Sequence, residues 1–214
     1  MKKGYLKEIT DHFQILLYKP TDPMFIFTKG KKINKLEDFK GLKIRALQGM
    51  MGKTVTALGA TPVSMPGGEI YLGLSTGIID GVITGADNVL SRKLYEVTDY
   101  ALKMPVYVGI WVLSMNKKTW NKLPEDLQTK ILAISKELFD SDKKEAESEE
   151  KGYWQSLKDT TDLEIYTVSP EERKRWKKAV SKIAEDYITE NSAKGYPVGE
   201  AYQVLTEKEE ELQK

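Results

Sequence analysis

The stretch from Pro124 to about residue 158 sets the strongest limit on how this chain folds. It runs for over thirty residues with Gly152 as its only helix breaker. Pro124 suits the first position of a helix. Leu127, Ile131, Ile134 and Leu138 follow at i, i+4, i+7 and i+11, which is one helical face. Asp140 to Lys151 is nearly all charged, and Asp140/Lys144 and Glu147/Lys151 are acid-before-base pairs four apart that support a helix in water. Tyr153 and Leu157 then resume the apolar stripe. The spacing predicts one helix over 125–158, with two helices broken near Gly152 as the alternative. Such a helix is roughly 50 Å long at 1.5 Å per residue. A compact sphere of 214 residues is only about 45 Å across. The expected molecule is therefore elongated, and this helix crosses from one lobe to another.

Ahead of it lies a different rhythm. Phe13–Tyr18 and Met24–Thr28 are apolar runs with strand character, punctuated by Pro20 and Pro23. Asn34-Lys35-Leu36-Glu37 has the spacing of a capping box and opens a short helix to Gly41. Strands are expected at 42–46, 61–65 and 78–84. Helices are expected at 50–58, closed by Gly59, and at 69–75, closed by Gly77. Strand, helix and strand in alternation with short links predict a largely parallel sheet. Asp87–Arg92 opens a further helix to about Tyr95, and Val106–Met115 reads as one long strand between Pro105 and Asn116. Beyond the long helix, Leu163–Val168 is a strand. Ser169-Pro170-Glu171-Glu172 is a helix start, and Trp176, Val180, Ile183 and Tyr187 give its apolar face. Gly195-Tyr196-Pro197 ends that helix, and a last charged helix follows.

Composition removes several chemistries. The chain has no cysteine and one histidine, so thiolate nucleophiles and multi-histidine metal sites are excluded. Its formal charge of +1 argues against a strongly basic nucleic-acid binder. The longest uncharged apolar run, Met104–Met115, is far short of the ~20 residues of a membrane helix. Met1-Lys2-Lys3 starts basic, but no apolar signal-peptide core follows.

Motif by motif, little asks for an enzyme. Gly52-Lys53-Thr54 resembles the end of a phosphate loop, but Leu47 stands where that loop needs glycine. His12 has no nucleophile-elbow serine to serve. Glu37-Asp38, Glu125-Asp126 and Glu149-Glu150 are explained by capping and solvation. Gly67-Gly68 before a helix is either an anion cradle or an ordinary turn. Arg45 differs. It ends an apolar strand in a parallel-sheet context, where open α/β sheets bind ligands. Its planar fork matches a carboxylate. Thr84 and Asp87 follow the last strand of the same sheet and reach the same crevice. The competing reading makes Arg45 a surface residue of an edge strand.

The segment Leu36-Glu37-Asp38-Phe39-Lys40-Gly41-Leu42-Lys43-Ile44-Arg45 resembles the L-x-D-L-K-G-L-K-I-R segment of DctP-type solute-binding proteins of TRAP transporters. Leu58-Gly59-Ala60-Thr61-Pro62-Val63 continues the similarity, followed by Glu69-Ile70-Tyr71-Leu72-Gly73-Leu74-Ser75-Thr76-Gly77-Ile78-Ile79-Asp80-Gly81. Leu94-Tyr95-Glu96-Val97 and Met115-Asn116-Lys117-Lys118-Thr119-Trp120 extend it, so that it covers about residues 15–190. The resemblance implies a periplasmic binding protein-like α/β fold: a parallel or mixed sheet lobe, joined by a long crossing helix to an incomplete second lobe. It implies segments 1–24 as a remnant of lobe I with the crossover strand, 25–110 as the ligand-clamping lobe II, and 111–214 as elements shared by both.

The same resemblance implies function. The chain is expected to be no enzyme and to need no cofactor or metal. It is expected to bind a small organic acid outside the cytoplasm and pass it to the membrane subunits of a TRAP permease. The family's carboxylate-clamping arginine matches Arg45, a nearby polar residue matches Gln48, and a cleft-lining loop residue falls near Gly67. The family's asparagine after the D-G strand corresponds to Thr84, and an arginine of sialic-acid-type members corresponds to about Phe25. Asp87 either contacts a ligand hydroxyl or amine, or caps the next helix. Trp111 either walls the pocket or belongs to the core. The family also carries a leader and most of a first lobe ahead of the match, so the chain reads as N-terminally truncated and weak in binding. The alternative from another class is a non-binding fragment acting as an interaction module, possible as a homodimer through Leu16, Leu17, Ile131 and Leu138.

Overall fold

The computed structural model describes residues 7–212, with the side chains of 10–141 and 148–208. A short helix α1 (Lys7–His12) leads into strand β1 (Phe13–Pro20). Strands β2 (Met24–Thr28), β3 (Lys43–Arg45), β4 (Thr61–Val63) and β5 (Gly81–Thr84) alternate with helices α2 (Met50–Ala57) and α3 (Ile70–Ser75). Helix α4 (Ala86–Ser91) is followed by β6 (Tyr100–Tyr107) and β7 (Ile110–Asn116). Helices α5 (Lys117–Trp120) and α6 (Glu125–Thr160), strand β8 (Glu164–Tyr166) and helices α7 (Pro170–Ser192) and α8 (Val198–Leu212) complete the chain.

Six strands form the main sheet in the order β4-β3-β5-β2-β6-β8. The pairings β3–β4, β3–β5 and β6–β8 are parallel. β2 runs antiparallel to both β5 and β6, so the sheet is mixed rather than largely parallel. The cause is β2, which enters from the ribbon instead of from a crossover helix. The expected β-α-β units are those of β3, β4 and β5.

Alternation along the strands sorts the core onto two faces. Ile26, Ile44, Ile83 and Leu102 pack one way, against Phe39, Met51, Val55 and Trp176. Phe25, Phe27, Val82 and Ala101 pack the other way, against Ile70, Leu74, Val89, Trp154 and Leu157. Trp154 sits edge-on to Phe25 at 4.8 Å between ring centroids and stacks on Phe27 at 6.0 Å. Helix α7 starts as its sequence dictates: the Ser169 side chain accepts from the Glu172 amide, and Pro170 occupies the first turn.

Among the described residues the second sheet is a ribbon of β1 and β7, antiparallel with an irregularity between Ile15 and Leu17. Helix α6 joins the two sheets. Its first half lies along β1, where Leu132, Ser135 and Phe139 meet Ile15 to Tyr18. Its second half anchors Trp154 and Leu157 under the main sheet. With 36 residues it is about 54 Å long and passes Gly152 unbroken.

Several expectations are corrected. The strand expected over 106–115 is two strands in different sheets. Thr21 donates its amide to the Gly109 carbonyl at 2.9 Å, and its hydroxyl accepts from the Gly109 amide at 2.9 Å, which pins the crossover between them. Pro105 sits inside β6 rather than before it. The β2–β6 register shifts between Met24 and Ile26 and the β8 pairing stops at Leu102, so no ladder needs an N–H there. The capping contact at 34–38 uses Asp38, which accepts from the amides of Asn34 and Lys35 at 2.9 and 3.0 Å. Glu37 instead pairs with Arg175. The helix after β5 stops at Ser91, because Lys93 takes a left-handed turn (φ 53) before a single 3-10 turn at Leu94–Glu96. On α6 the buried stripe runs through Ile131, Ser135 and Phe139, while Ile134 and Leu138 are exposed, since the narrow ribbon covers one side only. The expected pairs Asp140/Lys144 and Glu147/Lys151 each have one side chain outside the described residues; Lys136 pairs with Asp140 at 2.6 Å.

Candidate functional site

Arg45 is the last residue of β3, an interior strand flanked by β4 and β5. The edge-strand reading is therefore excluded. Its row partners are Val63 on β4 and Val82 on β5, which place its side chain on the α3–α4 face at the C-terminal end of the parallel strands. Arg45 is only 8% exposed. Its Nε and one Nη donate to the Met65 carbonyl, each at 3.2 Å. A guanidinium has five N–H donors, so three are left. Among the described residues no carboxylate lies within ion-pair distance of it. Burial, and then the charge of Arg92, lower its basicity below that of an ordinary arginine.

A buried cation without a counter-charge costs free energy, and a buried, perturbed charge beside a cleft is a candidate binding group. The free donors form a fork fitted to a carboxylate.

The neighbouring residues are set by two turns. Met65-Pro66-Gly67 leads from β4 into α3, and a Cβ on Gly67 would stand 3.4 Å from one Nη of Arg92. So Arg92, the C-cap residue of α4, lays its guanidinium across that turn. Its Nε donates to Asn88 Oδ1 at 3.3 Å, and Asn88 in turn donates to Asp87 at 2.9 Å. Asp87 stands in the first turn of α4 with its carboxylate folded over Gly85, where a Cβ would meet it at 2.2 Å. Thr84 is buried at the end of β5, one pair beyond Val82 on the same face. Gln48 is exposed on the loop between β3 and α2.

Arg45, Gly67 and Asp87 are thus linked through Met65 and Arg92, with Thr84 at the same strand end. Phe25 is corrected: it is 1% exposed, sealed in the core against Trp154, and presents no surface to a cleft. Trp111 is 66% exposed on the ribbon opposite Lys19, so its core reading is excluded as well. Arg92 was missed by the sequence reading; it looked like the end of a helix-opening polar cluster. Among the described residues no cluster of acidic or histidine side chains is arranged to hold a metal ion.

Comparison with known proteins decides the family. The sequence model of DctP, bacterial extracellular solute-binding protein family 7, matches residues 1–191. The chain belongs to this family. A curated DctP-family relative, the C4-dicarboxylate-binding periplasmic protein DctP of Rhodobacter capsulatus, is 30% identical over 163 residues, which is 75% of this chain and 49% of that protein. The ectoine-binding periplasmic protein TeaA of Halomonas elongata is 38% identical over 93 residues, covering 43% of this chain and 27% of that protein. The chain spans about half or less of the length of such relatives. Among solved structures, a TRAP periplasmic solute-binding protein from Rhodoferax ferrireducens with bound malonate superposes with a TM-score of 0.82 at 22% identity, covering 95% of this chain and 66% of that one. One from Sulfurospirillum deleyianum with bound succinate gives 0.76 at 26% identity, covering 88% and 63%. The expected α/β fold of periplasmic binding-protein type, with a mixed sheet and helices, is the fold of these TRAP solute-binding protein structures.

Proposed function

We propose that this chain binds a small organic acid through Arg45 and serves as the solute-capturing component of a TRAP-type transporter outside the cytoplasm. The carrying observation is the Arg45 guanidinium, buried at the carboxyl end of parallel strands, with two N–H groups on Met65 and three without a partner. One ligand carboxylate fills that fork. Thr84 and Gln48 offer polar contacts around it, Gly67 leaves room beside it, and Asp87 meets a ligand hydroxyl or amine. Family membership, and relatives that bind C4-dicarboxylates, malonate or succinate, support the acid as ligand and permease membrane subunits as partners. Calorimetric titration with a panel of organic acids tests this. Arg45→Ala abolishes binding of any acid that the parent binds; retained affinity in that variant overturns the assignment.

A second reading, a homodimer through the ribbon, is favoured by Ile110, Trp111, Val112 and Leu113, which are all half or more exposed in sequence. Light scattering decides it: a monomer at high concentration removes this reading.

A further inference from the structure

A second groove lies on the same face of the main sheet, well away from Arg45. Strands β5 and β2 separate β3 from β6, a spacing of roughly 14 Å across the sheet. Helix α6 packs beside α4, and toward β6 and β8 it borders a cavity of about 720 Å³. The floor is apolar: Trp154 from α6, with Leu163 and Ile165. The charged residues that line it are Lys103, Lys151 and Lys158, and all three are basic. The acids next to them in sequence are turned to other partners. Asp159 accepts from the Gln155 amide at 2.8 Å, and Glu164 pairs with Lys32.

Lysines along a helix and a strand ordinarily belong to a solvated face. This groove differs on three counts. Lys103 places Nζ 5.1 Å from the centroid of the Trp154 ring, so its ammonium is held over the aromatic floor. Trp154 is 4% exposed, and among the described residues its Nε1 is the one buried side-chain polar atom without a hydrogen-bond partner. Native folds satisfy such groups, and an indole N–H can only donate. Finally, β8 ends the sheet order. The Glu164 amide donates to the Asp99 carbonyl at 2.9 Å, so in a parallel ladder the amide and carbonyl of Ile165 face outward. An open sheet edge is a template for one more strand. Positive charge, an apolar floor, a donor in need of an acceptor and an open edge therefore meet at one place.

We propose that this groove docks an extended acidic segment of a partner protein, with the pattern acid–x–apolar–x–acid. Lys151 and Lys158 are seven residues apart on α6, roughly 10 Å along the helix. Residues i, i+2 and i+4 of a strand share one face and span roughly 13 Å. The two outer carboxylates thus come within reach of the lysine side chains, and the apolar residue between them rests on Leu163 and Ile165. A carbonyl or carboxylate oxygen of the segment accepts from Trp154 Nε1. The charge of the partner is fixed by complementarity, since every charged group lining the cavity is a lysine. This docking does not depend on the Arg45 reading.

The test is an NMR titration of the full chain at constant ionic strength, following the Trp154 indole N–H, whose signal is assigned by its loss in Trp154→Phe. Three end-blocked peptides are compared: Glu-Thr-Val-Thr-Glu, its neutral counterpart Gln-Thr-Val-Thr-Gln, and Thr-Glu-Val-Glu-Thr, which has the same composition with both acids on the face opposite valine. The expected result is a saturable shift with the first peptide, none with the second, and binding at least about threefold weaker with the third. The double variant Lys151→Gln/Lys158→Gln weakens the first peptide about five- to tenfold, as for the loss of two exposed ion pairs. Equal binding of the neutral peptide, or unchanged affinity in the double variant, overturns the inference. Equal binding of the third peptide, or the same shift from inorganic phosphate, means unpatterned anion attraction and overturns it too. A Trp154 signal that moves with protein concentration alone assigns the groove to a second copy and has the same consequence, as does a signal that no peptide moves.

Discussion

Replacing Arg45 by methionine should make the protein more stable while removing its ligand. Methionine keeps the length of the aliphatic stem and fills irregular apolar space. The substitution removes a charge that is 8% exposed and has no acidic partner among the described residues. Burying an ion costs several kcal/mol even after the protein relaxes, and somewhat less for guanidinium, which is weakly hydrated. Against this, two hydrogen bonds to Met65 are lost. A charged donor to one carbonyl is worth about 1.5–3 kcal/mol. Relief of the repulsion from Arg92 adds to the gain. The balance is a stabilisation of about 1 kcal/mol. With a urea slope of about 2 kcal/mol/M the midpoint rises by about 0.5 M. The melting temperature rises by about 2–4 °C for a chain of this size. Urea unfolding followed by tryptophan fluorescence reads the shift. Succinate then provides the second arm: it raises the melting temperature of the parent by mass action and leaves the variant unmoved. A midpoint that falls by 0.5 M or more in Arg45→Met refutes the reasoning. It would mean that the two bonds to Met65 outweigh the buried charge, and that Arg45 is kept for structure.

Three further outcomes follow from other parts of the fold. The Tyr166 hydroxyl donates to the Ile33 carbonyl and accepts from its amide, and burial pushes its pKa up to about 12 from the ordinary 10. The folded state thus keeps a proton that the unfolded state releases, so its contribution is complete below pH 10 and is lost as pH rises toward 12; Tyr166→Phe should flatten that alkaline limb in urea titrations and cost about 1–2 kcal/mol at pH 7. At Gly81 in β5 an added Cβ would stand 2.8 Å from the Phe27 carbonyl oxygen and 2.9 Å from Thr28, so Gly81→Ala should destabilise by about 1–3 kcal/mol; an unchanged thermal midpoint would show that the sheet yields there. Gly152 lies mid-helix in α6 with nothing within 4 Å of an added Cβ, so Gly152→Ala should stabilise by about 0.5–1 kcal/mol, read as a higher melting temperature.

What the sequence made legible was local. Met24–Thr28, the closure of α2 by Gly59 and the Ser169 cap stand at the expected residues, because each depends on neighbours within one turn. The long helix was legible for the same reason: charged residues without a breaker leave a helix few competitors. Distant partners were not legible. The break between β6 and β7 depends on Thr21, almost ninety residues away, meeting Gly109. Ile134 and Leu138 belong to an apolar periodicity, but periodicity cannot say how wide the surface opposite will be, and a two-stranded ribbon is too narrow to bury them. Phe25 was placed in the cleft by its alignment with an arginine. Its strand neighbour Phe27 shares its face, and that pair already carries the core reading that Trp154 completes.

Arg45 and Arg92 show the same division at the site. Arg45 is visible from sequence because a charged residue ending an apolar strand breaks the pattern around it. Arg92 breaks no pattern, since an arginine at the end of a short helix is unremarkable. It reaches the turn only because β4 and α3 carry Met65–Gly67 beneath it, and because that turn ends in a residue without a side chain. The position that reveals Arg92 is therefore Gly67, a residue with no chemistry of its own. At Gly67 the turn leaves space, and the guanidinium that lies over it comes from α4.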